Sequence, residues 1–267
     1  MSSNSTHGAI VVAGSGPGIG SAFAAHFASQ GFSKAILLSR DASRLSSDAE
    51  TVRAAAPGLN VPKALEEVDR KLKGTPLEVV LFNAARVGVS NLIEWSVGEL
   101  ESDLKVHCST PTLPSQGSNT TIAVISCYAV AQWALPQLLK LANSPPHKPA
   151  FFVTSGLLHK DPFPHLFSLS ACKAAQYSLV HSMYKEYTGK GVHCALIVVG
   201  GKVSDEAKVC NKSNIAQETW KLYLQEKGKW DLDIEMLDPD YADHVKNRRE
   251  EASGSGYDDE IWKARRT

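Results

Sequence analysis

The stretch Ala9-Ile10-Val11-Val12-Ala13-Gly14-Ser15-Gly16-Pro17-Gly18-Ile19-Gly20 decides the reading of this chain. A short apolar run with adjacent valines ends at Gly14, and the segment that follows repeats Ile19, Phe23 and Phe27 at four-residue spacing. The first pattern is that of a buried strand and the second is one apolar face of a helix. Gly31 closes the helix. Between them, glycines allow a tight turn and let a ligand approach the backbone, while the start of the helix offers unpaired N–H groups and the positive end of its dipole. Strand, glycine turn and helix in that order point to a pyrophosphate held at the turn, and so to a dinucleotide.

Outward from this unit the same alternation continues. Apolar runs at Ala9–Ala13, Ala35–Leu38, Glu78–Phe82, Ala150–Thr154, Val192–Val199 and Trp230–Ile234 predict strands. Helical periodicity predicts helices over Ala42–Ala56, Pro62–Leu72, Val97–Val106, Ala123–Leu141, Ser170–Tyr187 and Ile215–Glu226. This is the pattern of a parallel sheet with crossover helices, here within one domain over residues 1–267. Two segments break it. Ala56 to Val61 leaves only a few residues where the alternation calls for a third strand, so that strand is expected to be missing or vestigial. His107–Thr121, rich in Ser, Thr, Pro, Gln and Gly, splits what otherwise reads as one long helix, and an exposed insertion is expected over about 108–122. From Asp238 to residue 267 the chain is a charged, Gly/Ser-punctuated tail.

Composition excludes several classes. Lys plus Arg and Asp plus Glu both total 28, so there is no cationic excess for a nucleic-acid partner. Ile122–Ala142 is apolar over about the length of a membrane span, but Gln132, Gln137 and Lys140 favour a core helix and no membrane partner. The five cysteines, Cys108, Cys127, Cys172, Cys194 and Cys210, are scattered and contain no C-x-x-C pair, so neither a metal site nor a disulfide framework is expected. Met1 to His7 has neither the basic start nor the apolar core of a secretory signal, and a cytoplasmic location is expected.

The spacing of Gly14, Gly18 and Gly20 is that of the G-x-x-x-G-x-G loop, and in this the chain resembles the short-chain dehydrogenase/reductase family. Further positions follow in order. Asn83-Ala84-Ala85 resembles the family's N-A-G, Ser155 follows a strand, Lys173-Ala174-Ala175 resembles its S-K-A-A helix, and Gly200-Gly201-Lys202-Val203-Ser204 stands where it has P-G-x-V-x-T. Around Trp220 and Trp230–Ile234 the chain is similar to divergent fungal members. The resemblance implies a Rossmann-like doubly wound α/β sheet with helices on both faces. It also implies cofactor contacts from Gly14, Gly18, Ile19, Gly20, Asn83, Lys173 and Val203, a small-molecule substrate, and a homodimer or homotetramer. At the tip of the second strand, Arg40 can pair with the extra phosphate of NADP, where an acidic residue would favour NAD, so NADP(H) is the expected cofactor.

In the family a serine polarises the substrate carbonyl, a tyrosine gives the proton, and a lysine four residues later lowers the tyrosine pKa from its usual value of about 10. Ser155 and Lys173 match the serine and the lysine, with Thr154 an adjacent hydroxyl. Four residues before Lys173 stands Leu169, which has no proton to give. Tyr177, one turn beyond Lys173, and Ser168, Ser170, His159, His165 and Asp161 in or beside the covering loop are the other polar groups nearby. The family's helix asparagine is also absent near Val106, where His107-Cys108 follows. The expected activity is reduction of a carbonyl or oxidation of an alcohol with NADP(H). The alternative is a cofactor-binding homologue whose chemistry is altered, imine-reducing or non-redox, or lost.

Overall fold

The computed structural model describes residues 7–39, 42–55, 68–85, 90, 92, 124–243 and 245–246. In chain order they form β1 (His7–Ala13), α1 (Ile19–Ser29), β2 (Phe32–Leu38), α2 (Ala42–Ala55), α3 (Val68–Leu72), β3 (Leu77–Phe82), α4 (Ser126–Leu141), β4 (Ala150–Gly156), a 3-10 turn (Leu157–His159), α5 (Phe167–Tyr187), β5 (His193–Gly200), α6 (Lys212–Leu224) and β6 (Asp233–Leu237). The strands make one sheet in the order β2-β1-β3-β4-β5-β6, and every neighbouring pair is parallel. From β1 the chain steps one way to β2 and then returns to lay β3 on the other edge of β1. The carboxyl ends of β1 and β3 therefore flank the point where the winding reverses, which is where open α/β sheets bind ligands.

Helices cover both faces, which is why the strands read as unbroken apolar runs rather than alternating ones. On one face Phe23 and Phe27 of α1, Leu45 and Val52 of α2, and Ile215 and Leu222 of α6 pack on Ile10, Leu37 and Phe152. On the other, Leu72 of α3, Leu135 and Leu138 of α4, and Val180 of α5 pack on Val11, Val80 and Phe151. Phe23 and Phe27 stack with ring centroids 4.1 Å apart and are fully buried. Each contributes roughly 1.5–3 kcal/mol by leaving water.

The amino ends of the strands are closed by a buried carboxylate. Glu78, fully buried on β3, accepts the Gly8 N–H (2.6 Å), the Lys148 N–H (2.9 Å) and the Tyr223 hydroxyl (2.7 Å). Its oxygens also contact Nδ1 of His7 (3.2 Å) and of His147 (2.8 Å). Burial alone would raise its pKa, but the hydrogen bonds from His7, Gly8, Lys148 and Tyr223 outweigh it and bring the carboxyl down to about 2.

Several boundaries differ from the sequence reading. The last strand runs over Asp233–Leu237 rather than Trp230–Ile234. Trp230 stacks flat on His193 at 5.0 Å, donates Nε1–H to Gln225 O and accepts the Tyr184 hydroxyl at its own carbonyl, so tertiary contacts occupy it before the ladder begins. Helix α5 starts at Phe167, not Ser170, because the Leu166 carbonyl already accepts the Ser170 N–H at 2.8 Å. Helix α6 starts at Lys212, where the Asn211 side chain accepts the Asn214 N–H and caps it. Ser155 lies inside β4 rather than after it. Expectations for Arg40, for Pro57–Val61, for Val97–Val106, for the insertion at about 108–122 and for residues 247–267 fall outside the described residues. Among the described residues no helix is long and apolar enough to cross a membrane, and no group of His, Cys, Asp or Glu is placed to hold a metal ion. Cys127, Cys172, Cys194 and Cys210 are buried and none of them is in a disulfide.

Candidate functional site

Gly14, Gly18 and Gly20 sit in three different surroundings. Gly14 turns the chain at φ +96°, and a Cβ there would lie 2.5 Å from the backbone nitrogen of Ala84, so β1 and β3 could not end side by side. A Cβ on Gly20 would stand 3.1 Å from both Gly14 O and Ser15 Cα, which leaves α1 little room to sit on its own loop. Among the described residues a Cβ on Gly18 would meet nothing within 4 Å. Gly18 precedes Ile19 at the amino end of α1, where no side chain caps the helix and no acidic residue stands in the first turn. The loop is thus tight against the protein at Gly14 and Gly20 and open at Gly18, a cradle that a pyrophosphate fits.

The loop is tied to β2 by the Leu38 carbonyl, which accepts the N–H groups of Gly14 (2.9 Å) and Ser15 (2.8 Å). On its other side a line of hydrogen bonds crosses the sheet. Asn83 Nδ2 donates to Gly14 O (2.9 Å), Thr154 Oγ1 donates to Asn83 Oδ1 (2.8 Å), and Lys173 Nζ donates to Thr154 O (3.1 Å) and to Gln176 Oε1 (2.8 Å). Asn83 itself donates its N–H to Ala13 O at 2.7 Å. Gly14, Asn83 and Lys173, expected at one site, are therefore physically connected. Thr154 and Gln176 complete the line and were not legible as its members.

Lys173 lies in the interior of α5 and is 7% exposed. Burial draws its pKa down to about 8, with the neighbouring Cys127 and Cys172 acting in the opposite direction. The polar partners that such a lysine requires come from the protein, Thr154 O and Gln176, rather than only from a ligand as its apolar surroundings in the sequence suggested. Ser155 is nearby on β4. The period of a strand puts Phe151, Val153 and Ser155 on one face and Phe152 and Thr154 on the other, and Phe151 and Val153 pack on the α4 and α5 side. That places Ser155 on the face of Lys173's helix, its hydroxyl donating over a long 3.4 Å to Gly156 O.

Leu169 is 4% exposed and packs with Phe163, Leu166 and Leu158 in a small apolar cluster. The position four residues before Lys173 is thus filled by hydrocarbon. Of the polar groups in the same region, the serines are engaged within the protein. The Ser170 hydroxyl accepts the Phe163 N–H (3.2 Å) and donates to Leu166 O (2.9 Å). The Ser168 N–H donates to the Ser90 hydroxyl at 3.1 Å. Tyr177 stacks on His159 with centroids 4.5 Å apart and meets His181 edge-on at 5.9 Å. His159 places Nδ1 2.9 Å from Gly156 O, and its Nε2 is buried with no hydrogen-bond partner among the described residues.

Ile19, the first residue of α1, is partly buried against the core of that face and presents its N–H beside Gly18. Val203 is 37% exposed in the loop after β5. Asp238, just past β6, accepts the N–H groups of Val209 (2.8 Å) and Cys210 (3.3 Å) on one carboxylate oxygen and fixes the base of that loop.

No protein-family model and no curated protein matches the sequence. The fold has many solved counterparts. A short-chain dehydrogenase from Rhodopseudomonas palustris is 18% identical, with a TM-score of 0.65 over 85% of this chain and 96% of its own. A metagenomic short-chain oxidoreductase in complex with NADP is 17% identical, with a TM-score of 0.67 over 88% and 99%. An alcohol dehydrogenase from the archaeon Thermococcus sibiricus, complexed with 5-hydroxy-NADP, is 18% identical, with a TM-score of 0.68 over 87% and 97%. At these identities the likeness is one of fold.

Proposed function

We propose that this chain, which carries the fold of the short-chain dehydrogenases and reductases, binds NADP(H) and acts as an oxidoreductase on a carbonyl or alcohol of a small organic molecule. The observation that carries this reading is the hydrogen-bonded line from the Gly14 turn through Asn83 and Thr154 to the buried Lys173, which ends beside Ser155. When bound, the nicotinamide supplies or accepts a hydride at the substrate carbon. The chain's own residues do the rest. The N–H groups at Gly18, Ile19 and Gly20 face the pyrophosphate, Arg40 meets the additional phosphate, and Val203 borders the nicotinamide end. Lys173 adds positive charge next to the ribose, and Ser155 donates a hydrogen bond to the substrate oxygen as charge develops on it.

Leu169 sets the limit of this chemistry. A positioned acid contributes roughly 10²–10⁴-fold, and the side chain at that place packs against Phe163 and Leu166 instead. Wild-type reduction of activated ketones by NADPH is therefore expected to be slow, and Leu169→Tyr is expected to raise its rate by about 10²-fold or more, read by loss of NADPH absorbance. A wild-type rate that Leu169→Tyr leaves unchanged or lowers, in a variant that still binds NADPH, would show that another group gives the proton. The packing of Leu169 also favours a second reading, in which the chain binds the cofactor and catalyses a reaction that needs no proton at this place, or none. Binding of NADPH without turnover of any carbonyl, in wild type and Leu169→Tyr alike, would select it.

A further inference from the structure

Helix α2 buries Leu45, Ala49 and Val52 against the sheet, as an amphipathic helix should, and on the same buried side it carries Asp48, 3% exposed. A carboxylate there is costly unless a polar group meets it. The group that meets it is in the glycine loop: Ser15 Oγ, itself buried, donates to Asp48 Oδ2 at 2.8 Å. Ser15 also gives its N–H to the carbonyl of Leu38, the last residue of β2. Asp48 therefore stands behind the junction of the glycine loop and the tip of β2, the place where the adenosine ribose of a dinucleotide rests in this architecture.

We infer that Asp48 is a specificity residue that weighs against the 2′-phosphate of NADP(H) and so opposes the NADP(H) preference proposed for Arg40. The inference rests on the proposed dinucleotide site. Two effects act together. The Ser15 hydroxyl is turned toward Asp48 and is withdrawn as a donor to a phosphate on the ribose. The carboxylate adds negative charge under a loop whose protein walls screen it less than water would, and that charge repels a 2′-phosphate while leaving a 2′-hydroxyl almost unaffected.

The test is a ratio, which a general loosening of the loop does not move. NADPH and NADH are titrated by fluorescence into wild type, Asp48→Asn and Ser15→Ala, with 2′,5′-ADP and 5′-ADP as competitors that lack the nicotinamide. Asparagine keeps the acceptor for Ser15 and removes the charge. It is expected to raise the NADPH-to-NADH affinity ratio on the order of tenfold, with the same change for 2′,5′-ADP against 5′-ADP. Ser15→Ala, which keeps the charge, is expected to move the ratio much less. If Asp48→Asn fails to fold, Asp48→Ser, neutral and smaller, carries the same expectation. An unchanged ratio in the neutral variant, or an equal shift in Ser15→Ala, overturns the inference while leaving the binding site in place. A wild-type protein that binds neither dinucleotide overturns the site itself.

Discussion

Toward the amino ends of the strands lies the buried Glu78, met by five groups from β1, from the segment before β4 and from α6; toward the carboxyl ends lies the buried Lys173, met by one backbone carbonyl and one amide. Both are interior, but their pKa values respond differently. The contacts on Glu78 overcome desolvation and its carboxyl falls to about 2, fully ionised at neutral pH. For Lys173 desolvation prevails and the ammonium falls to about 8, within reach of its environment. The first arrangement holds β1, β3 and α6 together and has no capacity left for a ligand. The second leaves a weakly held cation beside Ser155 and next to the glycine loop, the arrangement on which the proposed site rests.

This contrast can be broken most forcefully at Glu78. Glu78→Ala removes the acceptor for Gly8, Lys148 and Tyr223 at once and leaves buried donors unpaired, so it is expected to destabilise the protein by about 3–5 kcal/mol. Urea unfolding followed by tryptophan fluorescence measures this. A loss below about 1 kcal/mol would mean that the cluster is far wetter than its burial implies.

Acid sharpens the same point. Glu78 has its folded pKa depressed, from 4.5 to about 2, so its contribution is fully present above pH 4.5 and is lost as pH falls from there toward 2. A shift of that size corresponds to about 3 kcal/mol. Stability measured from pH 6 downward is expected to fall in that window, and the fall is expected to be shallower in Glu78→Gln. Parallel pH dependences in the two proteins would assign the acid sensitivity to other carboxylates.

How much of this was legible in the sequence follows the range of the interactions. The glycine turn, the apolar runs and the helix α1 are local, and their residues stand where the pattern put them. The sheet and its two covered faces followed from the alternation alone. Lys173 could be singled out because a lysine on an apolar helix face signals a cost. The partners that offset that cost could not, since Thr154 lies 19 residues away and Asn83 a further 71. Glu78 read as the first residue of a strand, and nothing local marked the hydroxyl of Tyr223, 145 residues on, as its partner. Asp48 was one polar residue among many on a helix of mixed composition. The boundary errors at Trp230 and Lys212 have the same origin, because stacking on His193 and the Asn211 cap outweigh strand and helix propensity there.

In the proposed site the open side of the glycine loop receives a dinucleotide phosphate, and Gly18 allows this to be tested apart from folding. A side chain at Gly14 collides with backbone, whereas one at Gly18 meets nothing within 4 Å among the described residues. Titration of NADPH into wild type and Gly18→Asp, with the melting temperature of each, is the direct measurement. The expected result is saturable binding by wild type and a loss on the order of 100-fold in Gly18→Asp, from a carboxylate placed against the pyrophosphate, at an unchanged melting temperature. Equal affinity in the two proteins, or no binding by either, would contradict it.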